Sequence, residues 1–107
     1  MVKFLSFLLF LTCFSLIQAQ EIVRTYNVPS AQQGVAVDDG FFYVINNSSI
    51  IKYDKSNGIK VAEWMDKDSV LLHFNSGIII DGKLCCINSN YPEIPMASSL
   101  EVFDPKT

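Results

Sequence analysis

Gly34-Val-Ala-Val-Asp38-Asp-Gly40-Phe-Phe-Tyr-Val-Ile45-Asn46 returns later in the chain as Gly77-Ile-Ile-Ile-Asp81-Gly82-Lys-Leu-Cys-Cys-Ile87-Asn88. Each copy leads to a second matched phrase, Ile51-Lys-Tyr53-Asp54-Lys-Ser-Asn57-Gly58 in the first and Glu101-Val-Phe103-Asp104-Pro-Lys-Thr107 in the second. The copies stand 43 residues apart at the glycines (77 minus 34), 42 after a skipped residue at Asp39, and 50 at Asp54 and Asp104. The second copy therefore carries an insertion, at Tyr91 to Ser98 or close to it. Repetition at this scale marks arrays whose units cannot bury their own faces and stack on one another.

Within the first copy, Val35 to Val37 form an apolar run closed by Asp38-Asp39-Gly40, and Phe41 to Ile45 follow as a β-branched and aromatic run. That composition with that turn chemistry predicts a hairpin. Asn46 to Ser49 make the next loop, Ile50 to Tyr53 a third strand, Asp54 to Gly58 a tight turn, and Ile59 to Trp64 a fourth strand. In the second copy Gly77 to Ile80, Lys83 to Ile87 and Leu100 to Phe103 take the first three roles. Val61 to Leu72 is the best helical candidate, but Asp66-Lys67-Asp68-Ser69 reads equally well as loop, and a strand ending near Trp64 is favoured. The expected fold class is all-β: four-stranded antiparallel blades of a β-propeller, about two of them, in an incomplete ring. The expected limits are a lead-in segment over 20–33, a first blade over 34–64, an inter-blade loop over 65–76 and a second, incomplete blade over 77–107. The lead-in segment is a source for a strand that completes the last blade when a ring closes. Since a propeller closes with about four to eight blades, the chain reads as an N-terminal fragment of a longer one.

Ahead of these copies, Lys3 precedes the apolar run Phe4 to Ile17, and Gln18-Ala19-Gln20 offers a small residue for cleavage after Ala19. This is the layout of a secretory signal peptide over 1–19, and it places the chain outside the cytoplasm, secreted or periplasmic. A retained membrane anchor is the competing reading, but the run is shorter than the roughly 20 residues that cross hydrocarbon. A lipid-modified Cys13 is a third reading, against which Phe10-Leu11-Thr12 lacks a small residue just before it. The formal net charge is -3, and loss of Lys3 with the leader makes the remainder more acidic. Lys52, Lys55, Lys60 and Lys67 are dispersed among Asp54, Glu63, Asp66 and Asp68, so no basic patch exists to hold nucleic acid or anionic lipid. After the leader only the neighbours Cys85 and Cys86 remain, which excludes a disulfide-stapled domain. On a strand they point to opposite faces and read as two small apolar residues.

The Gly-apolar-apolar-apolar-Asp-Gly-apolar run ending in Asn, with Tyr53-Asp54-Lys55-Ser56-Asn57-Gly58 closing a strand, resembles secreted bacterial β-propellers of the NHL, YVTN and gluconolactonase-like group. The resemblance covers about residues 30 to 107. His73 to Gly77 together with Asn88 to Pro95 is also similar to exported proteins labelled cycloisomerase-like. Members of the wider group include lactonases that hold a divalent metal in the central channel with Glu, Asn and Asp side chains. That makes a divalent metal an expectation for a full-length parent, and no residue here matches such a ligand.

Propellers place ligand sites on loops at the channel mouth, with the sheets as a rigid frame. The second copy has the richer loops: His73, Asn75, Asn88, Asn90, Tyr91 and Glu93 gather polar groups around two strand ends, and Pro92 and Pro95 stiffen the inserted segment. His73, Asn75, Asn90, Tyr91 and Glu93 are the candidate ligand-binding residues. His73 has the chemistry of a general base, a metal ligand or a donor to a bound carboxylate; its competing reading is a structural hydrogen bond to a neighbouring blade. Glu93 reads equally as a solvated loop carboxylate. Asn46 and Asn88 share a repeat position, as do Asp54 and Asp104, which predicts turn-holding roles rather than chemistry. Trp64 is expected to pack in the core or between blades rather than serve as a sugar platform. There is no nucleophile elbow, phosphate loop, Cys-x-x-Cys or His-Glu-x-x-His. The first functional expectation is a scaffold binding a small molecule or a protein; the second is part of a lactonase or cycloisomerase whose site is completed by further blades.

Overall fold

The computed structural model describes residues 19–71 and 73–106; the leader read over residues 1–19 lies outside them but for Ala19. The described chain is all-β with no helix, and its strands are β1 (Gly34–Val37), β2 (Phe41–Ile45), β3 (Ser49–Asp54), β4 (Lys60–Met65), β5 (His73–Ile80), β6 (Lys83–Ser89) and β7 (Ser98–Phe103). They form two antiparallel sheets in simple meander order, β1-β2-β3-β4 (sheet A) and β5-β6-β7 (sheet B). Six of these runs fall within two residues of the sequence reading at either end, because the turns that bound them are chemically explicit. At the first hairpin Asp38 Oδ1 accepts from the Gly40 and Phe41 N–H groups at 2.9 and 2.7 Å. At its counterpart Asp81 and Gly82 take φ of 47° and 73°, the paired positive angles of a two-residue hairpin loop.

The pairing corrects the phase of the repeat. In sheet A Val35 faces Val44 and Val37 faces Phe42; in sheet B Gly77 faces Cys86 and Ile79 faces Leu84. Each residue of the first set lies 42 before its counterpart (77 minus 35, 86 minus 44), so Asp39-Gly40 corresponds to Asp81-Gly82 and no residue is skipped. The counterpart of Gly77 is Val35, not Gly34. Hairpin register depends on the length of the loop, and both loops are two residues long.

β5 is the second correction. It starts at His73, so residues 73–76, expected in an inter-blade loop, belong to the sheet. The Phe74 N–H donates to the Asn47 carbonyl at 3.0 Å and the His73 N–H to Asn88 Oδ1 at 3.1 Å, which ties the extension down. Phe74 and Gly77 are an odd number of residues apart, and in an unbroken strand they would face opposite ways. A register shift between Phe74 and Ser76 leaves Asn75 as the extra residue, so Phe74 turns inward with Gly77 and Ile79.

The main core lies between the sheets. Ala36, Tyr43, Ile45 and Ile50 from sheet A meet Phe74, Leu84 and Cys86 from sheet B, with Leu71, Ile79 and Phe103 around them. β1 and β5 come closest: a Cβ on Gly34 would stand 3.1 Å from Ser76 Cα and 3.2 Å from the Asn75 carbonyl oxygen. At the far side Trp64 bridges the sheets, its ring 5.0 Å from Phe103 and 6.0 Å from Phe74. The outer face of sheet A carries a second cluster of Phe42, Val44 and Ile51, covered by Tyr26, Val28 and Tyr53. Residues 19–33 form no strand; they act as a cover. Arg24 donates to the Lys55 and Ser56 carbonyls at 3.0 and 2.8 Å, and the Tyr26 hydroxyl also donates to Lys55 O. Cys85 and Cys86 are buried, unbonded thiols, each on its own face of β6.

Candidate functional site

The end of sheet B that carries the expected residues is built from the start of β5, the end of β6 and the loop 90–97. β5 and β6 pair His73 with Ser89 and Phe74 with Asn88, which brings the two strand ends into one corner. His73 is half-buried, and its ring lies 5.4 Å from that of Tyr91 at a tilt of 43°. Tyr91 is 59% exposed, so one ring is seated against the sheet and the other against solvent. Asn75, displaced from the ladder by the bulge, reaches Ser89 Oγ with its Nδ2 at 3.4 Å. These residues offer an imidazole, a phenol, an amide and a hydroxyl at a single corner.

The other two residues are used differently. Asn90 shapes the loop: its Oδ1 accepts from the Ala97 N–H at 2.8 Å, its Nδ2 donates to the Pro95 carbonyl at 3.1 Å, and its carbonyl receives the Glu93 N–H at 2.8 Å. Its side-chain amide is spent holding the segment that presents Tyr91. Glu93 stands exposed on that loop and joins the group through its backbone. Among the described residues no group of three or more His, Cys, Asp or Glu side chains comes together to hold a metal ion.

The repeated residues behave as fasteners, of turns at Asn46, Asp54 and Asp104 but across strands at Asn88, which bonds to β5 and β7. Asn46 Nδ2 reaches Ser49 Oγ at 3.4 Å and Asn88 Nδ2 reaches Ser99 Oγ at 3.3 Å, the same pair in both copies. Asp54 Oδ1 accepts from the Ser56 N–H at 2.7 Å and hydroxyl at 2.5 Å, while Asp104 takes the Lys106 N–H at 3.0 Å and pairs with Lys83 at 2.5 Å. These contacts hold both carboxyls below the usual range, Asp54 chiefly through Ser56 and Asp104 chiefly through Lys83. The exception is Asn46 Oδ1, buried with no partner. Its counterpart on Asn88 accepts the His73 N–H, but the amide at the matching place, Ala31 N, is bound to the Val28 carbonyl instead.

A cleft away from this corner was not anticipated. Where the sheets diverge, a cleft of about 360 Å³ opens between Tyr43, Lys52 and Trp64 on one side and Leu84, Phe103 and Asp104 on the other. Lys52 crosses it: its Nζ donates to the Pro105 carbonyl at 2.9 Å and lies 4.0 Å from the Phe41 ring centroid. At its end the Tyr43 hydroxyl donates to Asp38 Oδ2 at 2.7 Å. Burial, the hydrogen bond and the carboxylate's charge together push the Tyr43 hydroxyl far above its usual range. Burial alone would raise Asp38, but the bonds from Tyr43, Phe41 and Gly40 and the charge of Lys52 hold it low. The available signal was the period-2 alternation Tyr43, Ile45 and Ile50, Lys52, which places a lysine on a core-facing row. Family models, curated proteins and solved structures were compared with the chain, and none matches.

Proposed function

We propose that this chain is an exported scaffold of β-propeller-type blades, of the NHL, YVTN and gluconolactonase-like kind, whose His73–Tyr91 corner binds a small molecule bearing a carboxylate. The carrying observation is the His73–Tyr91 pair itself, a half-buried imidazole against an exposed phenol beside Asn75. Two features support the blade reading. Sheets A and B are successive copies of one 42-residue hairpin pattern, and they approach most closely at β1 and β5 while opening into a cleft at the far side. Wedge-shaped stacking of this kind is how blades surround an axis. The leader reading supports export, and an exported rigid frame with polar loops at one end suits recognition.

The test is a solution titration of the chain with gluconate and with gluconolactone, followed by NMR. The reading calls for selective shifts at His73, Asn75 and Tyr91 with gluconate, lost in His73→Ala. Shifts spread over the cleft residues Tyr43 and Lys52, or none at the corner, would overturn it. Gluconolactone turnover lost in His73→Ala would replace the binding reading with the enzymatic one. Sequencing the exported product from its N-terminus checks the leader; a chain beginning at Gln20 is expected.

A further inference from the structure

Cleavage of the leader after Ala19 makes Gln20 the first residue of the exported chain. Glutamine has a chemistry in that position that it has nowhere else. Its free α-amine can reach its own side-chain amide carbon, so attack is intramolecular and needs no second reactant. The surrounding chain decides whether the two groups are free to meet. Gln20 and Glu21 are exposed, and Ile22 and Val23 stand 83% and 95% open to solvent. Among the described residues no hydrogen bond or ion pair holds residues 20–23.

The first residue tied down is Arg24. Its guanidinium donates to the Lys55 and Ser56 carbonyls and lies 5.1 Å from the Tyr26 ring centroid. Tyr26 in turn covers Phe42, Val44 and Ile51 together with Val28 and Tyr53. Residues 20–23 are therefore a loose end attached to a fixed hook, and the hook holds the cover on the outer face of sheet A. Loose ends are where proteolysis concentrates. An aminopeptidase binds a free α-amine, and removal of residues 20–23 would bring it to Arg24.

We propose that Gln20 is a modification site, at which the exported chain closes its own N-terminus as a pyroglutamyl ring. This rests on the leader reading above and adds the fate of the residue that cleavage exposes. The uncharged α-nitrogen bonds to Cδ, the Cδ–Nε2 bond breaks, and Nε2 departs as ammonia with one proton from the α-amine. Nothing is oxidised or reduced. The lactam that remains carries no positive charge and presents no amine to an aminopeptidase. The ring thus protects the Arg24 hook, and with it the cover over Phe42 and Val44.

Mass spectrometry of the freshly exported protein tests the proposal. The tryptic peptide ending at Arg24 is read beside a synthetic open-chain Gln20–Arg24 peptide carried through the same digestion, which shows that the ring predates handling. The peptide from the protein is expected lighter than the synthetic one by one ammonia. The same peptide from Gln20→Ala is expected at its full mass. An aminopeptidase is expected to shorten the Gln20→Ala protein and to leave the parent intact. A parent peptide that begins at Gln20 with its full mass overturns the cyclisation and leaves the leader reading standing. A first residue other than Gln20 overturns both. Equal shortening of the parent and the variant overturns the protective role.

Discussion

At Gly77 a methyl group would stand 2.5 Å from Ile45 Cδ1 and 3.0 Å from Cys86 Sγ. Ile45 is fully buried, so it cannot swing into solvent to make room. Gly77→Ala is expected to lower stability by about 1–3 kcal/mol, the usual cost of overpacking. The double variant with Ile45→Val should lose less than the sum of its parts, because the added and removed methyls occupy the same space; urea denaturation of the four proteins measures it. The Asp38–Tyr43 bond sets the pH dependence. Asp38 is depressed when folded, so its contribution is present above the ordinary value of 3.8 and is lost as pH falls through the lower folded value. Tyr43 is raised, so its contribution is complete below its ordinary value of 10 and is lost as pH climbs beyond it. Tyr43→Phe should cost about 1 kcal/mol at neutral pH and flatten the alkaline limb of the stability curve. Asp38→Asn should shallow the acid limb, with Asp54 and Asp104 still contributing there. The sequence named Asp38 as a turn residue, and its Asx bonds agree; its bond to Tyr43 depends on a cross-strand position that turn chemistry does not specify.

Among the elements, β5 departs furthest from its local signals. His73 to Ser76 has mixed polarity and reads as loop, yet the run is held as strand because Phe74 fills the space between the sheets and Asn75 absorbs the phase difference. Deleting Asn75 would leave Phe74 two residues from Gly77, so unbroken alternation would keep Phe74 turned inward without the bulge. Its effect is expected to stay well below that of Phe74→Ala, about 3–5 kcal/mol, seen as a smaller fall in the urea midpoint with the Phe74 amide's slow exchange retained. β4 makes the opposite case. Every residue from Lys60 to Met65 is at least partly open to solvent, as an edge strand allows, and its charged pair Lys60–Glu63 suits an edge. Its strand character was legible all the same, because Val61, Ala62 and Trp64 follow a tight Asn57-Gly58 turn.

For the whole molecule, the two thiols report on opening. Cys86 is pushed up to about 11, chiefly by burial and then by its neighbour Cys85, and both residues are enclosed. The thiolate is the reactive form, so alkylation by iodoacetamide should be slow in the folded chain at pH 8. The Cys86 rate should follow global unfolding rather than local fraying. A Cys86 rate equal to that of the urea-unfolded chain would mean that the sheets part readily.

The sequence by itself determined six of the seven strands, their turns, the duplication and the turn-holding roles of Asp54 and Asp104, because each rests on short-range chemistry: period-2 alternation and carboxylate oxygens meeting nearby N–H groups. It also picked out His73 and Tyr91 as companions, since an insertion between paired strands must project near the strand ends it joins. What only the tertiary structure decided was phase and facing. Whether Gly34 or Val35 matches Gly77, whether Phe74 points in or out, and whether Lys52 lies in a core row all turn on register across strands and on the fit between sheets. A one-residue difference leaves the alternation intact but reverses every side chain, so only packing distinguishes the alternatives.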